Sequence, residues 1–452
     1  METSTNEQSQ AVLLEQVVEH LDAGRHEELA EQIESSHPAE VADLLESLPP
    51  EQRGELWDAV SASQEGDVLG YLHEEARASI IGEMDDEELV AAVQTMAPEH
   101  LAEVIEDLPE DRSTALLLTL EQDHRKRLEA VLNFEEGTAG RLMSTDVLSV
   151  RPDVALAVVL RWLRRHESLP PHTDALMVIG EDGRYLGKLG IDDLLTRDPD
   201  IKVEQIMLQG GSIAHANMSA HEVAALFDRR DLISIAVVGD DEHLLGRITI
   251  DDVVDIIREE SDRALLNSAG LKEDEDLFAP VLPSAKRRGF WLGINLLTVF
   301  MASAVIGQFE EVLDKVVALA VLLPVVASMG GIAGSQTLTL TIRGLALDQI
   351  ANANVRWLIG KEIAVGALNG LAWAIVVAAV AYVWFGSPGI AATIAAAMIL
   401  NLLIAAFAGV AIPLLLTRFG IDPALSGAVV LTTVTDIVGF LSFLGLASLI
   451  LL

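Results

Sequence analysis

Apolar and polar positions follow three different patterns along the chain. From residue 11 to 134 apolar residues recur every three or four positions in short blocks separated by proline and acidic turns, which predicts short amphipathic helices. From residue 141 short apolar runs alternate with helical blocks, which predicts strand and helix units. Five apolar stretches follow, each long enough to cross a bilayer, which takes about 20 residues. They are residues 289–309, 316–342, 363–385, 390–416 and 424–452.

The helical region contains an internal repeat. Residues 42–53, Ala-Asp-Leu-Leu-Glu-Ser-Leu-Pro-Pro-Glu-Gln-Arg, align with residues 102–112, and residues 72–77 repeat the same corner. Such self-similarity is typical of helices stacked into a superhelix. Residues 1–135 are therefore predicted to form an acidic α-helical superhelical domain that binds or senses and does not catalyse.

A second repeat follows, in which residues 182–195 return as residues 241–254, and Met143 and Met207 open the two copies. Residues 136–258 resemble a tandem pair of CBS domains, an α/β regulatory module. Many members bind adenine nucleotides through a Thr or Ser followed three residues later by Asp. The second copy has this pair, Thr249 and Asp252, whereas the first has Gly190 at the matching position. The same pair is typical of a helix N-cap, so ATP binding and simple capping both stay open.

A long acidic segment leads from the repeats into the apolar region. Residues 251–278 can continue as one helix that ends at Pro280 and Pro283, and we expect residues 259–285 to form a connecting (plug) helix before a transmembrane domain at residues 286–452. Basic residues, which mark the cytosolic side, flank the spans on one side. They are Lys286, Arg287, Arg288, Arg343, Arg356, Lys361 and Arg418. The N-terminal domains are therefore predicted to be cytosolic and the C-terminus outside, in a multi-pass protein of the inner (plasma) membrane.

Charge and composition narrow the possible functions. The formal net charge of -39 argues against binding nucleic acid, which needs a basic surface. Divalent cations suit the charge better, although an acidic surface is also typical of proteins from salt-adapted cells. With no cysteine, disulfides and thiolate metal sites are excluded. An enzyme is not predicted, because the spans contain no His-Glu-x-x-His, no nucleophile with its base and no second intramembrane Asp.

The most informative residue is Asp436, about a dozen residues into the last apolar stretch. An ionisable group near the midplane costs at least about 2.5 kcal/mol, so it is expected to face a polar cavity or a partner. We interpret it as the metal-binding residue of a cation pore; the alternative is a carboxylate that only ties two helices together. Candidate pore-lining residues are Gly330, Gly331, Gln336, Asn401, Thr432 and Thr433. Close helix packing and interhelical hydrogen bonds are the alternative for all six.

Taken together, these features resemble the MgtE family of magnesium channels and transporters. The matches are residues 136–144 (Glu-Gly-Thr-Ala-Gly-Arg-Leu-Met-Ser), Pro324 with Gly330 and Gly331, residues 334–336, Lys361 with Glu362, Asp422-Pro423-Ala424 and Asp436. The resemblance implies a homodimer in the lipid bilayer, whose pore lies on the twofold axis and holds hydrated Mg²⁺ between the two copies of Asp436. It also implies closure of the pore by Mg²⁺ bound to cytosolic acids. By position, the candidates are Asp251, Asp252, Asp255, Glu259 and Glu260.

Two departures leave ion selectivity open. Family members commonly have Asn where this chain has Ile332, and Pro where it has Ala428 and Val429. One alternative function is therefore a transporter or exporter of another divalent cation, such as Co²⁺. The other is a membrane-anchored nucleotide-sensing scaffold that conducts nothing.

Overall fold

A computed structural model describes residues 3–452 except 95, 97, 167, 269–270, 272–276 and 348. The chain divides into two compact units. The first contains residues 1–262 and 274–280, and the second contains residues 263–273 and 281–452. The acids expected at residues 273–276 of the connecting helix lie outside the described residues.

The N-terminal part of the first unit is a stack of short helices around a leucine-rich core that includes Leu29, Leu44, Leu45 and Leu56. The helices are α1 (Thr3–Asp22), α2 (His26–Ser35), α3 (Pro38–Glu46), α4 (Pro50–Trp57), α5 (Glu65–Tyr71), α6 (Glu74–Glu83), α7 (Asp86–Val93), α8 (Pro98–Asp107), α9 (Glu110–Thr119) and α10 (Gln122–Leu132). Proline stands at the start of α3, α4 and α8, where its missing N–H is not needed. The predicted helical superhelix is confirmed.

Arginines explain why the corner motif repeats. The last carbonyl groups of a helix lack partners within it, and at three corners an arginine of the next helix donates to the carbonyl five residues before it. The pairs are Arg53 with Leu48, Arg77 with Leu72 and Arg125 with Leu120. Arg112, which aligns with Arg53 in sequence, instead donates to the carbonyls of Ile81 and Met84.

The strand-containing part of the first unit confirms the tandem α/β repeat. Its helices are α11 (Ala139–Leu142), α12 (Leu156–Leu163), α13 (Ile191–Thr196), α14 (Ala220–Arg230) and α15 (Ile250–Ser268), with a 3₁₀ turn at Val203–Gln205. Its strands are β1 (Ser149–Val150), β2 (Ala175–Ile179), β3 (Tyr185–Gly190), β4 (Leu208–Gln209), β5 (Ile213–His215), β6 (Ser234–Val238) and β7 (Leu244–Thr249). One sheet has the order β1-β2-β3-β4 and the other β5-β6-β7.

The two sheets have the same topology and the same irregularity. In each, the first strand runs parallel to the second and the second antiparallel to the third. The β2–β3 register shifts between Val178 and Ile179, and the β6–β7 register shifts at the matching place, between Val237 and Val238. The sequence repeat is therefore also a repeat of structure.

The leading segments of the two copies are exchanged. The amide of Ser144 donates to the carbonyl of Arg247 at 2.9 Å, and Met143 lies in the core of the second copy. Met207, in turn, packs against the core of the first copy. Each methionine stands at the start of its own copy in sequence, as expected, and its side chain packs in the core of the other copy.

The connecting helix differs from the prediction in where it ends. α15 ends at Ser268, and residues 277–280 are not helical. Pro283 does not end a helix either, because it is the third residue of the next one, α16 (Val281–Gly307), within the first turn that tolerates proline. The run of acidic residues thus predicted a single helix, whereas the described residues belong to two helices, the end of α15 and the start of α16.

The second unit contains five candidate transmembrane helices among the described residues. They are α16, α18 (Ala318–Ala346), α19 (Val355–Phe385), α20 (Pro388–Arg418) and α21 (Pro423–Leu451), with the short α17 (Glu310–Lys315) between the first two. α20 is central and packs against α18, α19 and α21, whereas α16 packs mainly against α21. The five predicted spans are confirmed, and each helix extends beyond its predicted apolar stretch at one end or at both.

Candidate metal site in the transmembrane unit

An open groove of about 990 Å³ runs along α18 and α21 in the second unit. Six polar side chains line it: Ser328, Ser335, Gln336 and Thr339 from α18, and Thr432 and Asp436 from α21. Positions three and four residues apart lie on the same face of a helix, so the α18 residues form one stripe. Among the described residues that line the groove, Asp436 alone is charged.

The depth of Asp436 along α18 follows from two close contacts. A Cβ at Gly427 would lie 3.2 Å from Leu338, and a Cβ at Gly334 would lie 2.9 Å from Leu431. One contact thus pairs 338 with 427 and the other pairs 334 with 431, so the two helices run antiparallel with a fixed register. Five residues beyond Leu431, Asp436 therefore lies level with Met329, near the middle of α18.

The Asp436 carboxylate is half-buried and faces the groove. Within the described part of the chain, no side chain donates a hydrogen bond to it or forms an ion pair with it. No described hydrogen bond or ion pair therefore supports the alternative, in which the Asp436 carboxylate only ties two helices together. The arrangement suits a hydrated cation, because Mg²⁺ sheds water reluctantly and is usually held by one or two carboxylates plus its own waters.

The expected pore-lining residues divide into two groups. Gly331, Gln336 and Thr432 line the groove. Gly330 is buried, and the Thr433 hydroxyl donates to the Val429 carbonyl of its own helix at 2.7 Å. These two lie outside the groove lining.

Asn401 also lies behind the groove and does not line it. It is fully buried, and its amide donates to the Val326 carbonyl on α18 at 2.8 Å. Gly330 and Gly439 pack directly on this amide, where a Cβ would clash with Nδ2. Asn401 therefore joins α20 to both groove helices, and the alternative of an interhelical hydrogen bond describes it better than pore lining.

A second intramembrane acid, Glu362, was not expected to act within a span. It lies in the second turn of α19, is 4 % exposed, and accepts hydrogen bonds from Lys361 and, at 3.1 Å, from the Thr337 hydroxyl on α18. Thr337 directly follows Gln336. Glu362 thus fixes α18 from the side opposite the groove.

The candidate regulatory acids all lie on α15. Asp251, Asp255 and Glu259 are spaced four residues apart and share one face. Asp251 lies 3.5 Å from the imidazole of His172, and Glu260 lies 3.1 Å from that of His221. Asp252 accepts from the backbone and hydroxyl of Thr249, which is the capping arrangement.

The acidic face of α15 approaches the corner between α5 and α6 within the first unit. Partial burial, followed by the charges of Asp67, Asp255 and Asp251, raises the pKa of Tyr71. Burial, with Asp251 adding to it against Arg258, raises the pKa of Asp255. A hydrogen bond that the His73 imidazole donates to the Glu46 carboxylate raises the pKa of His73. No group of three or more His, Asp or Glu arranged around a metal position occurs among the described residues.

The end of α15 is attached to the start of α21. Asn267 is buried, and its amide donates to Asp422 Oδ2 at 3.2 Å. The other oxygen of Asp422 accepts from the backbone of Ala424 at 2.8 Å and so caps α21. One carboxylate therefore begins the helix that carries Asp436 and holds the helix that carries the candidate regulatory acids.

Comparison with known proteins places this architecture in a family. The profile of the MgtE divalent cation transporters matches residues 323–446, that of the MgtE intracellular N domain residues 36–137, and that of CBS domains residues 139–200 and 203–259. The chain is 32% identical over 334 residues to the magnesium transporter MgtE of Thermus thermophilus, covering 74% of each chain. The chain belongs to the MgtE family. It is also 28% identical over 332 residues to the magnesium transporter MgtE of Bacillus subtilis, again over 74% of each.

Two solved structures are each similar to about half of this chain. One is the cytosolic domain of the Mg²⁺ channel MgtE in complex with ATP, with 28% identity, a TM-score of 0.48, and coverage of 53% of this chain and 98% of that one. Another is the soluble part of a magnesium transporter, with 20% identity and a TM-score of 0.48, covering 56% of this chain and 99% of that one.

Sequence reasoning missed part of the groove of this MgtE-family chain. Ser328, Thr339 and Leu340 line it but were not expected to. The sequence could have predicted them from helical spacing, because steps of three or four residues in both directions from Gln336 reach the residues of α18 that line the groove. Glu362 was quoted for the resemblance, but the hydropathy pattern placed the start of its span one residue later.

Proposed function

We propose that this chain transports Mg²⁺ and that a second copy closes the groove around Asp436 to form the pore. The observation that carries the proposal is an intramembrane carboxylate that faces an open polar groove without a described partner. Lipid cannot satisfy such a lining. A twofold copy would cover it and bring two carboxylates to one axis, which is the donor set that suits a hydrated Mg²⁺ ion.

The proposed orientation follows from charge. Arg343 lies in the last turn of α18 and Arg418 at the end of α20, on the side where the connecting helix enters. Basic residues favour the cytosol. We therefore place both N-terminal domains in the cytosol, the C-terminus outside, and the protein in the inner membrane.

The proposed regulation is closure by internal Mg²⁺. Asp251, Asp255 and Glu259 present like charges on one face of α15, and burial, with the charge of Asp251 adding to it, raises the pKa of Asp255. A divalent cation bound at this face would relieve that repulsion and stabilise the closed arrangement. Asp252 and Glu260 complete the candidate set, and the Asp252 carboxylate already caps α15 through the backbone and hydroxyl of Thr249.

ATP is the second regulatory ligand that we propose, at the CBS pair. The match to CBS domains supports it, and Thr249 and Asp252 have the required spacing. Because the Thr249 hydroxyl already donates to Asp252 at 3.2 Å, a bound ribose would have to replace this bond.

Magnesium uptake by cells that depend on this protein tests the transport proposal. Asp436→Asn keeps the size of the side chain and removes its charge, so we expect uptake to fall at least about a hundredfold, as loss of a charged partner of the ion predicts. Thr433→Val, on the same helix but outside the groove lining, is the matched control and should retain uptake. Normal uptake by Asp436→Asn, at equal amounts in the membrane, would contradict the proposal and favour a non-conducting scaffold.

A further inference from the structure

Two basic residues, Arg247 and Lys188, occupy matching positions in the two copies of the α/β repeat. Arg247 of β7 pairs with Ala236, and Lys188 of β3 pairs with Met177, the equivalent residue of the first copy. Successive side chains of a strand point to opposite faces, and Ile248 lies in the core of the second copy. Arg247 therefore lies on the other face of β7, where it contacts the first copy.

The two basic side chains differ in what compensates their charge. Lys188 Nζ lies 3.9 Å from a carboxylate oxygen of Asp174. Arg247 is 5 % exposed, and its guanidinium donates to two neutral acceptors, the Pro171 carbonyl at 2.7 Å and the Thr173 hydroxyl at 3.5 Å. Its Nε is buried without a hydrogen-bond partner, and within the described part of the chain no carboxylate forms an ion pair with it. Because a buried cation without a counter-charge is costly, this guanidinium suits an anionic group.

The neutral acceptors of Arg247 belong to an insertion. α12 begins 64 residues before α14, whereas β2 begins 59 residues before β6, so the first copy has five more residues between helix and strand. This segment reaches the second copy, where Pro171 and Thr173 contact Arg247 and the imidazole of His172 lies 3.5 Å from Asp251. The insertion thus holds the guanidinium in place without neutralising it.

The carboxylates near the insertion are already engaged elsewhere. Asp174 accepts a hydrogen bond from the Ser234 hydroxyl of β6 and lies near Lys188. Asp251 lies beside the imidazole of His172. Neither forms an ion pair with Arg247 among the residues that the structure describes.

We propose that Arg247 binds the phosphate groups of a nucleotide whose ribose lies at Thr249 and Asp252. Thr249 follows Arg247 by two residues on β7, so the two side chains share a face and lie about 6.8 Å apart along the strand. A planar guanidinium forms parallel N–H bonds to phosphate oxygens. The proposal rests on the ATP site proposed above and names the residue that distinguishes a phosphorylated ligand from a nucleoside.

Nucleotide binding to the purified full-length protein tests this role. ATP and adenosine are titrated calorimetrically in EDTA, which keeps Mg²⁺ away from the candidate regulatory acids. Arg247→Met removes the charge and keeps a long side chain. We expect it to raise the Kd of ATP at least about tenfold, as loss of a charged hydrogen-bond donor predicts, and to leave the Kd of adenosine within about twofold. Arg184→Met removes an exposed positive charge next to β3 and, as the matched control, should change neither.

Unchanged ATP binding in Arg247→Met would overturn the proposal. An equal loss of ATP and adenosine binding would overturn it too, because Arg247 would then only support the second copy through the Pro171 carbonyl. If Arg247→Met does not fold, Arg247→Lys keeps one donor for that carbonyl and loses the planar fork, so ATP binding should still weaken about threefold with adenosine unchanged.

Asp252→Ala separates this role from the nucleotide site itself. Wild-type protein that binds neither ATP nor adenosine would reject the proposed ATP site as a whole, and the role of Arg247 with it. ATP binding that is lost in Asp252→Ala and kept in Arg247→Met would reject only the role of Arg247.

Discussion

Asp436 and Glu362 are both intramembrane acids of the second unit, and they have opposite surroundings. Glu362 is 4 % exposed and bound by Lys361 and Thr337. Asp436 is half-buried, and no described side chain hydrogen bonds to it. Glu362 lies behind α18 and Asp436 faces the groove in front of it. The charge of Glu362 is therefore compensated by residues of the same chain, whereas the charge of Asp436 is available to a group in the groove.

This contrast distinguishes the two readings of a membrane acid. A buried carboxylate with a cationic partner ties helices together, and removing one member of such a pair is costly. A carboxylate without a partner costs free energy on insertion unless water, an ion or another chain compensates it. The helix-tying role that the sequence left open for Asp436 thus belongs to Glu362.

The largest effect is expected from breaking the compensated acid. Glu362→Ala removes the acceptor of Thr337 and leaves Lys361 without its partner, so we expect the free energy of unfolding to fall by about 1–3 kcal/mol. Lys361 is partly exposed, which keeps the loss below that of a fully buried pair. The measurement is the melting temperature of the purified protein in detergent, with Asp436→Asn melted alongside.

Asp436→Asn should melt at or above the wild-type temperature, because it removes an uncompensated charge. If Asp436→Asn lowered the melting temperature as much as Glu362→Ala does, the two acids would have the same role. A Glu362→Ala protein that melts normally would equally remove the distinction.

The sequence predicted the spans well and the groove only in part. Apolar length is a local property, so five helices could be read directly. The face of a helix that lines a groove depends on how the helices pack and is not a local property of the sequence. Because α20 and α21 are apolar on all sides, their sequences do not indicate which face points into the groove. Asn401 therefore looked like a pore residue, although it lies fully buried against Gly330 and Gly439. Glu362 was overlooked as an intramembrane acid because the apolar stretch begins only after Lys361 and Glu362, whereas the helix α19 begins before these two charged residues.

A smaller effect, on regulation by Mg²⁺, is expected at Asp255. This residue of α15 extends the comparison between acids with and without a partner to a site outside the membrane. Like Asp436 it has no described hydrogen bond or ion pair, and burial raises the pKa of its carboxyl. If lack of a partner marks a functional acid, Asp255→Asn should raise the internal Mg²⁺ concentration that halves transport by about tenfold, the effect of roughly 1.4 kcal/mol. The measurement is flux in liposomes with internal Mg²⁺ varied.

Asp228→Asn is the matched control for Asp255, because it removes one exposed carboxylate from the neighbouring α14. An equal shift in Asp228→Asn would attribute the effect to net charge alone. No shift in Asp255→Asn would remove this residue from the candidate regulatory set, and Asp251 and Glu259 would then be tested in the same assay.

The smallest effect is expected at Asp422, a third acid whose two oxygens already have partners in the chain. Asn267→Ala removes the side-chain donor from α15 and leaves the cap on Ala424 intact. Because α21 still begins normally, Mg²⁺ influx and the Co²⁺ to Mg²⁺ ratio should not change. The link between α15 and α21 is weakened by one hydrogen bond to a charged group in partly exposed surroundings, so the Mg²⁺ concentration for half closure should shift by about threefold. Asn267→Asp places two carboxylates together and should shift it further in the same direction. A change in the ion ratio in either variant would mean that Asp422 acts on the pore itself and not on its attachment.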